Sequence, residues 1–262
     1  MSSIIDFENV SLRYDEAFAL KDISLSIKEG EHTVILGPNG GGKSTLIKLI
    51  SCELYPSITA KPHKREIFGH GRWEVAKLRE NFGIVTNDLH NSFAFLAPHL
   101  SAIEVVVSGF FSTIGLFDHQ LIDEYHTKKA LVALEKVGMQ ELYGKKVSEM
   151  STGQLRRTLV ARALVHPIKA LLLDEPTVGL DIKAQFEFLQ MVQELAKSGV
   201  TILLVTHHVE EIFSEIDRVV MLKDGMILAD GNKEQTLTSK NLSTLFDTKL
   251  EVFIHNGRYS IR

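Results

Sequence analysis

The chain has 262 residues, of which 44% are hydrophobic and 24% are charged. This composition is typical of a globular protein with a full hydrophobic core, and it excludes disordered, collagen-like and disulfide-scaffold chains. The formal net charge of −4 argues against a protein that coats nucleic acid. The single cysteine, Cys52, cannot form an intrachain disulfide, so we expect a reducing compartment.

No stretch of the sequence reaches the roughly 20 apolar residues that a membrane-spanning helix needs. The first residues lack a basic segment and meet an acid at Asp6, so we expect no signal peptide. Any work at a membrane would therefore depend on docking to another protein.

The first part of the chain carries strand patterns and then a helix pattern. Apolar residues at 4–7, strict alternation over 23–27 and a short apolar run at 32–36 predict three strands. Apolar residues at helical spacing predict a helix from Ser44 onward. Further apolar runs at 171–173 and 200–206 have the character of strands buried in a parallel sheet. Strands that alternate with helices indicate an α/β fold with a mostly parallel sheet.

The middle of the chain, residues 88–166, shows helical patterns and little strand character. It predicts a helical subdomain inserted between two halves of the sheet-bearing core. One predicted helix covers residues 124–137 and ends at Gly138. The apolar face expected for this helix consists of Ala130, Leu131, Leu134 and Val137.

Strand patterns return near the end of the chain and predict two hairpins. Residues 219–222 and 226–229 flank Asp224 and Gly225, and residues 250–254 and 259–261 flank Asn256 and Gly257. We expect a main domain over residues 1–230 and an extension over 231–262 that holds a helix and the second hairpin.

The strongest chemical signal lies between the third predicted strand and the helix that follows it. It is the run Gly37, Pro38, Asn39, Gly40, Gly41, Gly42, Lys43, Ser44 and Thr45. This run matches the pattern G-x-x-x-x-G-K-[ST] in the required context. Glycines let backbone N–H groups curl around phosphates, Lys43 supplies a mobile positive charge and Ser44 supplies a hydroxyl for Mg²⁺. The alternative, a glycine-rich turn that caps a helix, does not explain the Lys-Ser-Thr ending.

A second signal is the pair of acids that ends the apolar run 171–173. Asp174 is placed to hold Mg²⁺ opposite a phosphate loop, and Glu175 is placed to polarise an attacking water. Two acids after a strand alone would more often form a helix N-cap, but the phosphate loop reverses that preference.

Together these motifs resemble those of ATP-binding cassette (ABC) ATPases, the nucleotide-binding subunits of transporters. Met150–Gln154 resembles the family signature Leu-Ser-Gly-Gly-Gln, Thr206-His207 matches the switch histidine, and Tyr14 lies at the adenine-stacking position. The run from Asp174 through Asp181 matches the second acidic motif and its following loop. The resemblance covers residues 4–230 and implies a P-loop NTPase core with a mostly parallel sheet, an antiparallel β subdomain and an inserted helical subdomain.

The resemblance also implies roles for individual residues. ATP and Mg²⁺ would be the cofactors, with Lys43, Glu175 and His207 as catalytic residues and Ser44, Asn87 and Asp174 at the metal. The remaining nucleotide contacts would come from Tyr14, the loop 37–45, Ser151, Gly153, Gln154 and Asp181.

The family works as a pair of cassettes, so Ser151 and Gly153 would contact the γ-phosphate bound by another chain. For Ser151 alone, an ordinary helix N-cap is the simpler interpretation. His208 is most simply a surface histidine.

Two positions depart from the family pattern. Thr152 stands where glycine is usual, which adds bulk near the nucleotide of the other chain. Asn87, in the segment 83–87, stands where glutamine usually links the Mg²⁺ site to the helical subdomain. Asn87 would either reach the metal, act through water, or merely cap the next segment through an Asx-turn.

Several other features are most simply explained by packing or solvation, without a functional role. We expect Cys52 to be a packed thiol, and the basic residues around Lys64 and Arg65 to form a solvated hairpin. The apolar residues at 93–96 and 110–117 are expected to be mostly core, with a docking patch for a membrane partner as the alternative.

The resemblance implies an ATPase subunit on the cytoplasmic, inner face of the membrane, paired with a second cassette and driving a separate transmembrane permease. A substrate-binding protein is a further partner that it allows, and nucleic acid is not expected. The C-terminal run 240–259 resembles tails of metal, siderophore and molybdate-type import ATPases and tilts the direction toward import. The alternative is a soluble ABC-type ATPase that acts on nucleic acid or ribosomes.

Overall fold

The structure is a computed structural model that describes residues 2–255 and 257–262. Its strands are β1 Ser3–Tyr14, β2 Ala17–Lys28, β3 Thr33–Leu36, β4 Lys64–Ile67, β5 Phe82–Val85, β6 Ala170–Asp174, β7 Thr201–Thr206, β8 Arg218–Lys223, β9 Met226–Asn232, β10 Val252–His255 and β11 Arg258–Ile261. Its α-helices are α1 Lys43–Ile50, α2 Val75–Arg79, α3 Asn87–Leu96, α4 Ala102–Val107, α5 Glu124–Lys136, α6 Thr152–Ala163, α7 Ile182–Lys197, α8 Lys233–Thr236 and α9 Ser239–Phe246.

The chain forms two compact units. The first consists of Met1–Val75 with Thr201–Arg262, and the second consists of Ala76–Val200. Each unit has its own strands and its own buried core.

The first unit contains a parallel set of strands. β3 pairs in parallel with β7 on one side, with Thr33 opposite Leu203, and with β8 on the other, with Thr33 opposite Arg218. β9 pairs antiparallel with β8. Every residue of β7 is buried, as expected for a β-branched run that is covered on both faces.

The first unit also contains an antiparallel sheet in the order β2, β1, β4. Ile23, Leu25 and Ile27 are buried with exposed residues between them, which confirms the predicted alternation. The prediction of a solvated hairpin is wrong for Arg65 of β4, which is buried. Its guanidinium donates to the Leu49 carbonyl oxygen at 3.0 Å and lies over the Tyr55 ring. Cys52 is buried, as predicted.

The structure confirms the predicted hairpin between β8 and β9, with its turn at Asp224 and Gly225. Asp224 and Gly225 both have positive φ, 49° and 71°, which is the conformation that a two-residue hairpin loop requires. β10 and β11 also pair antiparallel, with His255 opposite Arg258. The predicted turn residue Asn256 lies outside the described residues.

The second unit combines the parallel pair of β5 and β6 with a group of helices. Phe82 lies opposite Ala170 in the pair. Helices α3 to α6 occupy the segment predicted to be helical, and α4 packs against α5 and α6. Gly138, with φ of 69°, follows the end of α5 as predicted. The prediction that Leu131 lies on the buried face of α5 is wrong. Its side chain is 40% exposed.

The apolar stretch of the second unit is less buried than expected. Phe93 is fully buried, but Phe95 and Leu96 at the end of α3 are 81% and 69% exposed. Ile114 and Phe117 are also exposed. The expectation that this stretch is mostly core is therefore wrong. Of the apolar side chains at 93–96, α3 buries Phe93 and leaves Phe95 and Leu96 exposed.

Among the described residues, we find no helix with the length and apolar character that crossing a membrane requires.

Candidate functional site

The predicted phosphate loop lies in the first unit, between β3 and α1. The Gly37 N–H donates to the Thr206 carbonyl oxygen at 3.2 Å, which fixes the start of the loop beside the end of β7. A Cβ on Gly37 would overlap the Leu222 carbonyl oxygen. Gly42 has φ of 101°, and a Cβ there would lie 2.9 Å from a Leu20 methyl carbon. Close packing therefore leaves no room for a side chain at Gly37 or Gly42, and the positive φ of Gly42 also favours glycine.

Lys43 and the start of α1 provide the charge and the donors of this loop. Lys43 is buried, and its Nζ donates to the carbonyl oxygens of Gly37 at 2.8 Å and Pro38 at 3.1 Å. The N-cap of α1 is Gly42, which has no side chain to accept from the N–H groups of the first turn. Those groups suit a phosphate anion, and the Ser44 hydroxyl lies exposed beside them.

Two further predicted residues of the first unit are His207 and Tyr14. His207 follows Thr206, the residue that hydrogen-bonds the loop at Gly37, so the fold brings this histidine to the phosphate loop. Its ring centroid lies 3.9 Å from that of His208, which is exposed as expected. Tyr14 ends β1 and is 51% exposed, which leaves its ring accessible to a base.

The second unit holds the acidic pair. Asp174 is the last residue of β6, as predicted, and Glu175 follows it with φ of 44°. A left-handed backbone at a residue with a side chain costs about 1–3 kcal/mol, so the surrounding structure must stabilise it. Asp174 and Asn87 line the same narrow pocket, together with His90 and Arg156.

Asn87 does not cap α3. The N-cap is Thr86, whose hydroxyl accepts from the Leu89 N–H at 3.2 Å, so the predicted Asx-turn alternative is wrong. Asn87 Oδ1 instead accepts a hydrogen bond from Arg156 Nη2 at 3.0 Å.

Arg156 is a functional candidate that the sequence motifs missed. It lies on α6, is buried, and donates from Nη1 to the Glu175 carbonyl oxygen at 2.6 Å. Its only sequence signal is a charged residue on the buried face of a predicted helix, between Leu155 and Leu159. Nothing in the sequence names its partners, which lie 69 and 19 residues away along the chain.

The signature segment forms the N-terminus of α6. Ser151 is the N-cap, its Oγ accepts from the Gln154 N–H at 3.2 Å, and Gln154 Oε1 accepts from the Ser151 N–H at 3.0 Å. Gln154 Oε1 also accepts from Lys145 Nζ at 3.0 Å. This reciprocal cap fixes the first turn that Thr152 and Gly153 form.

Asp181 is the N-cap of α7, where its side chain accepts from the Ala184 N–H at 2.8 Å. The Asp181 side chain is exposed, so it stays accessible to a neighbouring chain. Helix capping alone accounts for an acidic residue at this position, independently of any contact with nucleotide.

The donor set predicted for a metal fits Mg²⁺ in its chemistry. A hydroxyl oxygen from Ser44, a carboxylate from Asp174 and an amide oxygen from Asn87 are hard oxygen ligands of the kind that Mg²⁺ accepts. Asp174 and Asn87 share one pocket, and Ser44 is exposed at the phosphate loop.

A glycine-rich loop with a buried lysine, between a parallel strand and a helix, defines a P-loop nucleotide-binding protein. The family model for ABC transporters matches residues 20–178. The chain is 34% identical over 260 residues to an uncharacterized ABC transporter ATP-binding protein, YlmA of Bacillus subtilis, covering 97% of this chain and 95% of that one. This chain therefore belongs to the ABC transporter ATP-binding family, whose cassettes hydrolyse ATP.

Solved structures agree with this assignment. One is cbiO1 from Clostridium perfringens, part of an ABC transporter complex, with 30% identity, a TM-score of 0.75 and coverage of 93% of this chain and 94% of that chain. Another is a dimeric ATP-binding cassette bound to ADP and phosphate, with 28% identity, a TM-score of 0.71 and coverage of 87% and 98%. The predicted family and fold class are confirmed.

Proposed function

We propose that this chain hydrolyses Mg²⁺-ATP as one of two cassettes that drive a separate membrane subunit. The observation that carries the proposal is the phosphate loop, in which close contacts leave no room for a side chain at Gly37 or Gly42 and a buried Lys43 ends the loop. Binding at a helix N-terminus stabilises the phosphate charge that grows during transfer.

We assign the chemistry residue by residue. Lys43 leaves its loop carbonyls to contact the β- and γ-phosphates, and Tyr14 stacks on the adenine. When Mg²⁺ is bound, it neutralises phosphate charge, and Ser44, Asp174 and Asn87 would hold it. Glu175 orients and polarises the attacking water, and His207 hydrogen-bonds the γ-phosphate.

We assign the signature segment to the nucleotide of a second chain. The capped N-terminus of α6 presents Ser151 and Gly153 at a helix end that favours anions. Support comes from the similar cassette whose structure is dimeric and holds ADP and phosphate. Gln154 contributes by fixing the helix start.

The proposed membrane partner docks on the exposed apolar residues of the second unit. Phe95, Leu96 and Phe117 expose large apolar side chains that a partner would cover. The similar cbiO1 is part of a transporter complex, which supports a separate membrane subunit. We place the chain on the cytoplasmic face and favour import, on the tail formed by α9 and the β10–β11 hairpin. A substrate-binding protein would be a further partner of an importer.

The test is phosphate release from ATP by the purified chain, with Mg²⁺ and with the metal chelated. The proposed function expects release that needs Mg²⁺ and that rises when the chain is reconstituted with its membrane subunit. Stimulation by ribosomes or RNA instead would favour the soluble alternative, and no release under any condition would contradict the assignment.

A further inference from the structure

Helix α6 connects the signature segment with the acidic motif through one side chain. Arg156 lies five residues after the N-cap Ser151, which is about 7.5 Å along the helix. Its guanidinium donates to the Asn87 amide oxygen and to the Glu175 carbonyl oxygen, at 3.0 and 2.6 Å. One side chain of α6 therefore contacts both segments.

We propose that Arg156 is a positioning residue for ATP hydrolysis, which holds the Glu175 peptide and the Asn87 amide in their working orientations. This inference rests on the proposed function, because it assigns work to the residues on which hydrolysis depends. Because the Arg156 guanidinium donates to the Glu175 carbonyl oxygen and to Asn87 Oδ1, we assign its effect to these two residues and not to direct contact with the substrate.

The hydrogen bond from Arg156 to the Glu175 carbonyl oxygen stabilises an unfavourable backbone conformation. Glu175 has φ of 44°, a left-handed conformation that residues with a side chain adopt at an energetic cost. A buried guanidinium that donates to the carbonyl of this residue stabilises the peptide in that conformation. The direction of the Glu175 side chain then depends on Arg156.

The link to Asn87 selects one orientation of its amide. Because Arg156 can only donate, it fixes the oxygen, and not the NH₂ group, toward the guanidinium. The same oxygen is the atom that would serve Mg²⁺, and it has two lone pairs, so one can stay with Arg156. Asn87 and Asp174 line one pocket with Arg156, which places this oxygen at the acidic segment.

Only arginine can make both links at once. Its planar fork carries donors that point in fixed, different directions, whereas a lysine ammonium is a compact charge that reaches one of the two acceptors well. Arg156→Lys therefore keeps the charge and weakens the pair of contacts. Arg156→Met keeps an unbranched side chain and removes every donor.

A matched control lies one residue further along the helix. Arg157 donates to Glu187 Oε2 at 3.1 Å and to the Val137 carbonyl oxygen at 3.4 Å, away from the acidic motif. Arg157→Met removes the same number of donors from the same helix, so it reports any general effect of losing an arginine from α6.

The experiment measures kcat, KM, melting temperature and the dissociation constant of a fluorescent ATP analogue for the parent and each variant. We expect Arg156→Met to lower kcat about thirtyfold and Arg156→Lys about fivefold, from the loss of charge-assisted hydrogen bonds. The dissociation constant should stay within about twofold, because the phosphate loop is a separate element. Arg157→Met should keep the parent kcat.

A double variant tests whether Arg156 acts through Asn87. Adding Asn87→Ala to Arg156→Met should lower kcat by less than it does in the parent, because the two residues share one contact. If Arg156→Met melts early, Arg156→Lys decides: a lower kcat at the parent melting temperature supports the proposal, and a parent kcat overturns it.

Other outcomes also overturn the proposal: a parent kcat in Arg156→Met, an equal loss in Arg157→Met, or fully additive effects in the double variant. A parent chain that does not hydrolyse ATP at all would instead contradict the proposed function. Failure of the function and failure of the Arg156 role are therefore distinguishable.

Discussion

The phosphate loop of the first unit and the acidic segment of the second unit are built in different ways. The loop is shaped by backbone packing, since Gly37 and Gly42 have no room for a side chain and Lys43 bonds carbonyls of its own loop. The acidic segment is held by a side chain from another helix, because Arg156 bonds both Asn87 and Glu175. Substitutions in the loop should therefore affect binding, and those around the acids should affect turnover.

The largest expected effect is on turnover, at Glu175. Glu175→Gln keeps the size of the side chain and removes the base that polarises water, so hydrolysis should fall about a thousandfold. ATP binding should persist, and a nucleotide-bridged dimer should accumulate. Gel filtration of this variant with Mg²⁺-ATP measures the dimer. A strictly monomeric protein with ATP bound would contradict the two-chain mechanism.

At the loop, we expect Lys43→Ala to lose ATP binding as well as turnover. Without Lys43, the β- and γ-phosphate charge is less compensated, and kcat/KM should fall at least about a hundredfold. Titration with a fluorescent ATP analogue and steady-state phosphate release measure the two losses. The comparison of loop and acidic segment fails if Lys43→Ala binds ATP as the parent does and loses turnover alone.

The contrast between the two regions also explains what the sequence could predict. The phosphate loop and the turn at Asp224 and Gly225 are local, so their geometry follows from residues that are neighbours in the chain. The buried run of β7 and the helix cap at Ser151 follow from patterns of the same kind.

The wrong or missed features depend on contacts that are distant in sequence. The burial of Arg65 was not predicted because its acceptor at Leu49 belongs to another segment, 16 residues earlier in the chain. No motif identifies Arg156 for the same reason, since its partner Asn87 lies 69 residues away. The exposure of Phe95 and Leu96 depends on which face of α3 is packed, and apolar composition does not specify that.

A smaller effect is expected at Asn87, where the chain departs from its family. Asn87→Ala should lower turnover about tenfold, or about 1.4 kcal/mol, and weaken the Mg²⁺ dependence. Asn87→Gln should give no gain, because an amide longer by about 1.5 Å must displace Arg156. ATPase rates over a range of Mg²⁺ concentrations measure both.

Each alternative for Asn87 has its own outcome. A higher turnover in Asn87→Gln would mean that the parent amide acts through water. An Asn87→Ala variant with unchanged turnover and Mg²⁺ dependence would remove this residue from the site, and with it the role of the hydrogen bond from Arg156 to Asn87.

The smallest expected effect is on stability, at His32 in the first unit. Its Nδ1 accepts a hydrogen bond from the Ile202 N–H at 3.1 Å, so the ring must be unprotonated at that atom. Burial lowers the pKa of His32. The negative charges of Asp217 and Glu215 raise it, but their effect is smaller than that of burial. The unfolded chain therefore takes up a proton at higher pH than the folded chain does, and stability falls as the pH drops through the unfolded pKa of about 6.5.

His32→Asn offers an oxygen near the Nδ1 position that does not titrate. Between about pH 7.5 and pH 5.5, denaturant unfolding should show the parent losing about half a kcal/mol more stability than this variant, a small figure because solvent screens a half-buried ring. Other histidines contribute to both proteins and cancel in the difference. Equal losses in the two proteins would show that His32 keeps its hydrogen bond without controlling the pH response.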